Sequence, residues 1–295
     1  MLTLEQLHQL AAGHKSELQA RVTEFDLGGL PFAFNSRPAL MGVVNLSADS
    51  WYRESVCLSA SAAIERGRVL QAQGAHLIDV GAESTLAHAA RADAALQNSM
   101  LVPVVRELRA AGILVSVETY NSEVTRACLE AGANVLNLTG TAAGGEIYRL
   151  VAAHEAAVII CYVPGANVRE AGDFDLSRDP IPMMREYFSR QIELAARAGV
   201  TRIFIDPGLG FYYRNLQDSA VRVRHQMNVF LNTFRLRDLG FPICHALPHA
   251  FEFFGEEVRC AEPFFAVLAA LGKTDLFRTH EVARTRAVLE TLRAF

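Results

Sequence analysis

RIFIDPG, residues 202–208, reads as an apolar strand that ends on a carboxylate and breaks at once on Pro-Gly. The same design recurs along the chain. ALMGVVN (39–45) delivers Asn45, HLIDVGAE (76–83) Asp79 and Glu83, ILVSVET (113–119) Glu118, NVLNLT (134–139) Asn137, and DLFRTH (275–280) Arg278 and His280. Buried strands that each deliver a polar residue at the C-terminal end, with helical sequence between them, predict an α/β fold of the (β/α)8 TIM barrel type. Its active face gathers those residues into one pocket.

Working outward, apolar runs at 39–45, 76–80, 113–118, 134–139, 157–162, 202–206, 242–246 and 275–279 alternate with helical patterns. The helices are expected near 59–73, 95–111, 121–131, 144–155, 180–198, 216–239, 261–271 and from 281 onward. Gly74, Gly112, Gly132, Gly199, Gly240 and Gly272 follow helices, where a C-terminal cap is wanted. Eight such units, with no GxGxxG turn after the first strand, favour closure over a doubly wound open sheet. Ahead of them, 2–20 reads as an amphipathic helix and 22–34 as a hairpin turning at Gly28 and Gly29. The expected organisation is an N-terminal helix and β-hairpin, 1–37, capping the barrel bottom, and a barrel over 38–295.

Composition narrows the function classes. Of 295 residues 51% are apolar, enough for a sizeable core, and no linker tract divides the chain. A net charge of −4 without a basic stripe argues against nucleic acid and against an anionic membrane as partner. The first residues have no apolar run of signal or spanning length, so a cytoplasmic location is expected. Cys57, Cys128, Cys161, Cys244 and Cys260 never fall in CxxC spacing, which predicts reduced thiols.

The chemistry should sit at the strand ends. Asp206 either caps the N–H groups of its Pro-Gly turn or floors the pocket, where a carboxylate accepts two N–H bonds from a planar heterocycle. Glu118 and Asn137 end neighbouring strands, and a carboxylate beside an amide reads the donor and acceptor edge of a nitrogen ring. Asn45 offers an amide oxygen to Mg²⁺, with substrate phosphate completing the shell, or else satisfies its own loop together with Ser47. Arg278 and His280 form a cationic pair where barrels often hold phosphate, unless Arg278 pairs with a carboxylate in the barrel mouth. Cys244, His245 and His249 in CHALPH, with Cys161, make a poor transition-metal set. Pro248 breaks the helical spacing of the two histidines, and no HxH follows the first strand. The aromatic run FEFFGE, with Phe264 and Phe265, reads as core or subunit interface.

These residues and their order resemble dihydropteroate synthase and, more widely, the pterin-binding barrels that include methyltetrahydrofolate methyltransferases. MGVVNLSADSW, IDVGAEST, VETYNSEVTRACLEAGANVLN, FIDPGLGF and FRTHEV carry the resemblance over about residues 38–290. It implies a homodimeric transferase of folate biosynthesis, with a pterin as substrate and Mg²⁺ as cofactor. It also implies Asn45 as the metal and pyrophosphate asparagine, Asn137 and Asp206 as pterin readers, and Arg278 and His280 as the pyrophosphate pair. Glu118 stands where the family has aspartate, one methylene longer. Ser84 and Thr85 fall in the second-loop motif. After the seventh strand the family's Ser-Arg-Lys is replaced by HALPHAFEFF, and no lysine or arginine lies between 238 and 258. Leu86 stands for an arginine, Leu138 for an aspartate, and the first loop runs Tyr52, Arg53, Glu54, Ser55 in place of Asp-Gly-Gly. Each lost charge-assisted contact costs roughly 1.5–3 kcal/mol, and Arg53 and His249 are the candidates to compensate. Three functions follow: condensation of a pterin with an amine, methyl transfer to a corrinoid protein, and pterin binding without catalysis.

Overall fold

A computed structural model describes residues 1–295 apart from 48, 50, 51, 53, 54, 85–90, 142, 143, 171, 172, 174, 211–215 and 217. The apolar runs form the barrel strands β3 (Ala39–Asn45), β4 (Leu77–Gly81), β5 (Leu114–Thr119), β6 (Val135–Leu138), β7 (Ala157–Cys161), β8 (Arg202–Asp206), β9 (Cys244–Ala246) and β10 (Leu276–Thr279). All are parallel, in the order β8-β7-β6-β5-β4-β3-β10-β9. A bridge between Ile205 and Ile243 brings β8 and β9 together. The sheet thus closes as the alternation of strand and helix expects.

Each strand is followed by a helix, α3 (Ala60–Ala72), α4 (Ala94–Ala110), α5 (Ser122–Glu130), α6 (Gly144–Ala153), α7 (Pro180–Arg197), α8 (Ser219–Asn232), α10 (Ala261–Leu271) and α11 (Val282–Arg293) in turn. Ser59, Asp93, Asn121, Asp179 and Asp218 cap five of them, each side chain accepting an N–H of the first turn. The expected long helix at 216–239 tightens after Asn232 into a 3-10 segment, Thr233–Leu239, ended by Gly240 in the left-handed region. FEFF forms a single turn, α9 (Phe251–Phe254), followed by the 3-10 segment Gly255–Cys260.

The N-terminal helix differs from its expectation. It divides at His14 into α1 (Leu4–Gly13) and α2 (Lys15–Gln19), and neither has a buried residue. The hairpin β1 (Phe25–Leu27) and β2 (Leu30–Phe32) turns on Gly28 and Gly29, whose φ values of 54° and 83° suit a tight hairpin. Leu27, Phe32 and Phe34 form an apolar cluster with Ala39, Leu77, Leu114, Val135, Ala157 and Leu276. Those six are first residues of barrel strands, so the hairpin packs against the end of the barrel opposite the polar strand ends. Phe34 and Phe25 set their rings edge-on to Phe204, 5.3 and 5.1 Å away.

Candidate active site

Because the strands are parallel, their C-terminal residues share one rim. There a cleft of about 150 Å³ is lined by Asn45, Ser84, Glu118, Asn137, Asp206, His249, Arg278 and His280. These are all the predicted site residues that the structure describes. Arg53 and Thr85 lie outside the described residues.

The floor is one hydrogen-bonded network. Register sets Glu118 opposite Asn137, and Asp79 opposite Ser116. Asp79 is fully buried and accepts from Ser116 Oγ (2.6 Å), Asn137 Nδ2 (3.1 Å) and Arg278 Nε (2.7 Å). Arg278 also donates from its terminal nitrogen to Glu118. Burial works against the guanidinium charge, but Glu118 and Asp79 outweigh it and push the Arg278 pKa up. The carboxylate partner weighed for Arg278 is therefore present, and is two carboxylates. Glu118 uses its extra methylene to turn toward this guanidinium. Burial raises its pKa to about 7, against the pull of Arg278 and with the push of Asp79 and Asp206.

Asp206 caps its own turn and also reaches the cleft. Its Oδ1 accepts the N–H of Gly208 at 2.7 Å, and its carboxylate lines the cleft. Burial raises it to about 6, moderated by the Gly208 N–H and by Arg278. Asn137 is held from both sides, donating to Asp79 and accepting from Cys161 Sγ at 3.4 Å. An amide has one more N–H and one more lone pair to present. Cys161 and Cys244, also inside the barrel, are kept as thiols by burial.

His280 and Arg278 do not work as one cationic pair here, since each has its own carboxylate. His280 Nδ1 lies 2.7 Å from Glu262 Oε1, while the far ring nitrogen lies 3.5 Å from Asn45 Nδ2. Asn45 Nδ2 also donates to Ser55 Oγ at 2.6 Å. Glu262 is fully buried, and its Oε2 accepts from the N–H groups of His280 (2.9 Å) and Glu281 (3.1 Å) and from Thr279 Oγ1. Burial opposes its charge, yet His280, with His249 and the Thr279 hydroxyl, holds its pKa at about 2. The Tyr52 ring lies 4.7 Å from both His249 and His280.

Glu83, read from its strand end, accepts from Tyr120 at 2.7 Å and pairs with Arg169 at 3.5 Å, partners that sequence reasoning left out. Arg222 reaches the cleft from α8 and forks onto Glu252 at 2.6 and 2.7 Å. It brings a guanidinium to the side where the Ser-Arg-Lys motif is missing. Glu262 had a signal in the sequence, a lone acid in AEPFFAVLAAL, but its partners come from another strand end. His245 faces away, with Nε2 2.8 Å from Thr233 Oγ1 and its ring 4.6 Å from Phe230, so the CHALPH histidines do not converge.

A family model described as Pterin binding enzyme matches residues 41–242. A dihydropteroate synthase of Synechocystis sp. is 29% identical over 296 residues, covering 95% of each chain. The structure of Xanthomonas albilineans dihydropteroate synthase with 4-aminobenzoic acid is similar with a TM-score of 0.77 and 28% identity, over 92% of this chain and 98% of that one. That enzyme's complex with 7,8-dihydropteroate has a TM-score of 0.74 at 26% identity, with the same coverage of 92% and 98%. The family match runs from the first barrel strand to the sixth, through the strand ends that carry Asn45, Glu118, Asn137 and Asp206, and the chain belongs to the pterin-binding enzyme family, among the dihydropteroate synthases.

Proposed function

We propose that this protein binds a pterin methyl pyrophosphate and condenses it with an amine, releasing pyrophosphate. The observation that carries this reading is the floor itself, where Asn137 and Glu118, joined through Asp79 and Arg278, line one cleft with Asp206. A pterin ring presents adjacent N–H donors, which suit the Asp206 carboxylate, and a mixed edge, which suits the Asn137 amide. The complexes of the X. albilineans relative with 4-aminobenzoic acid and with 7,8-dihydropteroate support a reaction that joins a pterin to an amine.

In this reading the amine attacks the pterin methylene as the C–O bond to pyrophosphate breaks. The chain's task is electrostatic: Arg278 and His280 face the departing charge. The fit for Mg²⁺ rests on donor chemistry, for Asn45 and Ser47 bring neutral, hard oxygens to the cleft wall, and Mg²⁺ takes its remaining ligands from phosphate and water. When bound, Mg²⁺ neutralises pyrophosphate charge. The loss of basic residues after the seventh strand favours an amine without a carboxylate.

The same reading takes the protein as a cytoplasmic homodimer, with exposed Phe253 and Phe264 as candidate contact residues. Among the described residues no helix is long and apolar enough to cross a membrane.

The test is calorimetric titration with 6-hydroxymethyl-7,8-dihydropterin pyrophosphate and Mg²⁺, followed by 4-aminobenzoate or by aniline. Binding, then steady heat on adding an amine, is expected. Binding without turnover of either amine would leave a pterin-binding protein of other chemistry, and absence of binding would overturn the reading altogether.

A further inference from the structure

Beside the pterin floor, three ligating side chains converge that the condensation does not require as a set. His249 follows β9, Glu262 lies in the first turn of α10, and His280 follows β10. One ligand atom from each lies within 4.8 Å of the others. The geometry points to a second cation site here, for a divalent transition metal of the Zn²⁺ or Co²⁺ type, held by His249 Nδ1, Glu262 Oε1 and His280 Nδ1.

Two observations single this cluster out. First, His249 Nδ1 is buried and has no hydrogen-bond partner among the described residues, although it lies 3.5 Å from Glu262 Oε1. A cation seated between that nitrogen and the facing Oε1 would give both atoms the partner that their burial calls for. Second, the carboxylate is fixed for the purpose. Its Oε2 is occupied by two backbone N–H groups and Thr279, which leaves Oε1 to the two histidines. Such outer hydrogen bonds are what orient a metal ligand.

Two imidazole nitrogens and one carboxylate oxygen suit zinc-like ions, and are a poor set for Mg²⁺, which demands oxygen. Metal–ligand distances near 2.0–2.2 Å require the 2.7 Å contact between His280 and Glu262 to open modestly. Coordination through Nδ1 puts the His280 proton on the other ring nitrogen, 3.5 Å from Asn45 Nδ2, so the Asn45 amide has to turn its oxygen toward it. Tyr52 covers both rings and limits their rotation. The site uses His280 but does not depend on the pterin reading.

The test is titration of the metal-stripped, full-length protein with Co²⁺, followed by visible d–d absorption. Expected is one Co²⁺ per chain with intense low-symmetry bands, displaced by Zn²⁺ and not by excess Mg²⁺, and at least about a tenfold weaker affinity in His249→Ala. Glu262→Gln serves as a second variant, and each is checked by circular dichroism for native fold. Equal Co²⁺ uptake by wild type and a folded His249→Ala, or octahedral pale bands alone, would overturn the proposal.

Discussion

Arg278, on the last barrel strand, donates from Nε to Asp79, on the second, across 2.7 Å of the barrel mouth. The contact spans β3, which lies between their strands, and it places a buried charge pair under the pocket that we propose receives an anionic substrate. Asp79 therefore carries structure and site together. Asp79→Ala leaves Arg278 beside Glu118 alone and removes the acceptor of Ser116 and Asn137. Loss of about 3–5 kcal/mol in urea unfolding is expected, with a smaller loss for Asp79→Asn. A change below about 1 kcal/mol, the scale of an exposed pair, would contradict the buried network.

Arg278→Lys keeps the charge but not the fork that reaches two carboxylates at once. The expected result is a ten- to hundredfold fall in kcat/KM, roughly 1.5–3 kcal/mol, with the affinity for pterin lacking pyrophosphate retained. Steady-state kinetics decides it, and full activity would remove Arg278 from the chemistry.

Glu118 gives the protein a pH dependence. Its folded-state pKa is raised from 4.5 to about 7, so the folded protein binds more protons than the unfolded chain between those values. Its contribution to stability is present below pH 4.5 and is lost as pH rises through 7. An anion that engages Arg278 displaces Glu118 and favours its protonated form, so pyrophosphate affinity should increase as pH falls through about 7. Glu118→Gln should flatten both profiles in parallel calorimetric and melting series. A wild-type affinity independent of pH between 6 and 8, about one unit either side of that value, would refute the link.

Gly272 closes α10 where that helix meets α8. A Cβ placed there would lie 1.8 Å from the carbonyl oxygen of Phe230, and a backbone atom cannot swing aside. Gly272→Ala is expected to destabilise at the upper end of about 1–3 kcal/mol, read as a lower thermal midpoint. An unchanged midpoint would mean that the two helices are free to separate.

Phe34 tests the plug. Truncation to Ala removes a buried ring set among Phe25, Phe32 and Phe204, at an expected cost of about 3–5 kcal/mol in one cooperative transition. A separate early transition would instead mark the hairpin as an independent unit.

The barrel was legible in the chain because each strand shows as an apolar run ending on a polar residue, and Asn45, Glu118, Asn137, Asp206, Arg278 and His280 were found that way. Asp79 was read from its strand as well, but its pairing was not: it sits mid-strand, and only the register of three neighbouring strands brings it to Arg278. Glu262 looks like one acid in an apolar helix until the fold carries it under His280, far along the chain. The break at His14 also went unseen, although Gly13 lies directly before it, because an isolated Gly without Pro is tolerated inside a helical pattern.

The bridge between Ile205 and Ile243 has a consequence for how the cleft admits a ring. Every other neighbouring pair of barrel strands shares a ladder of three or more paired residues, whereas β8 and β9 meet through that bridge, with Ile205 N–H bonded to the Pro242 carbonyl at 3.0 Å. This is the seam of the barrel. Asp206 stands on one side of it, and the segment that replaces Ser-Arg-Lys begins on the other. Widening the mouth along the seam sacrifices the fewest backbone hydrogen bonds, so the wall most altered in this chain is also the wall best able to yield to a substrate of changed shape.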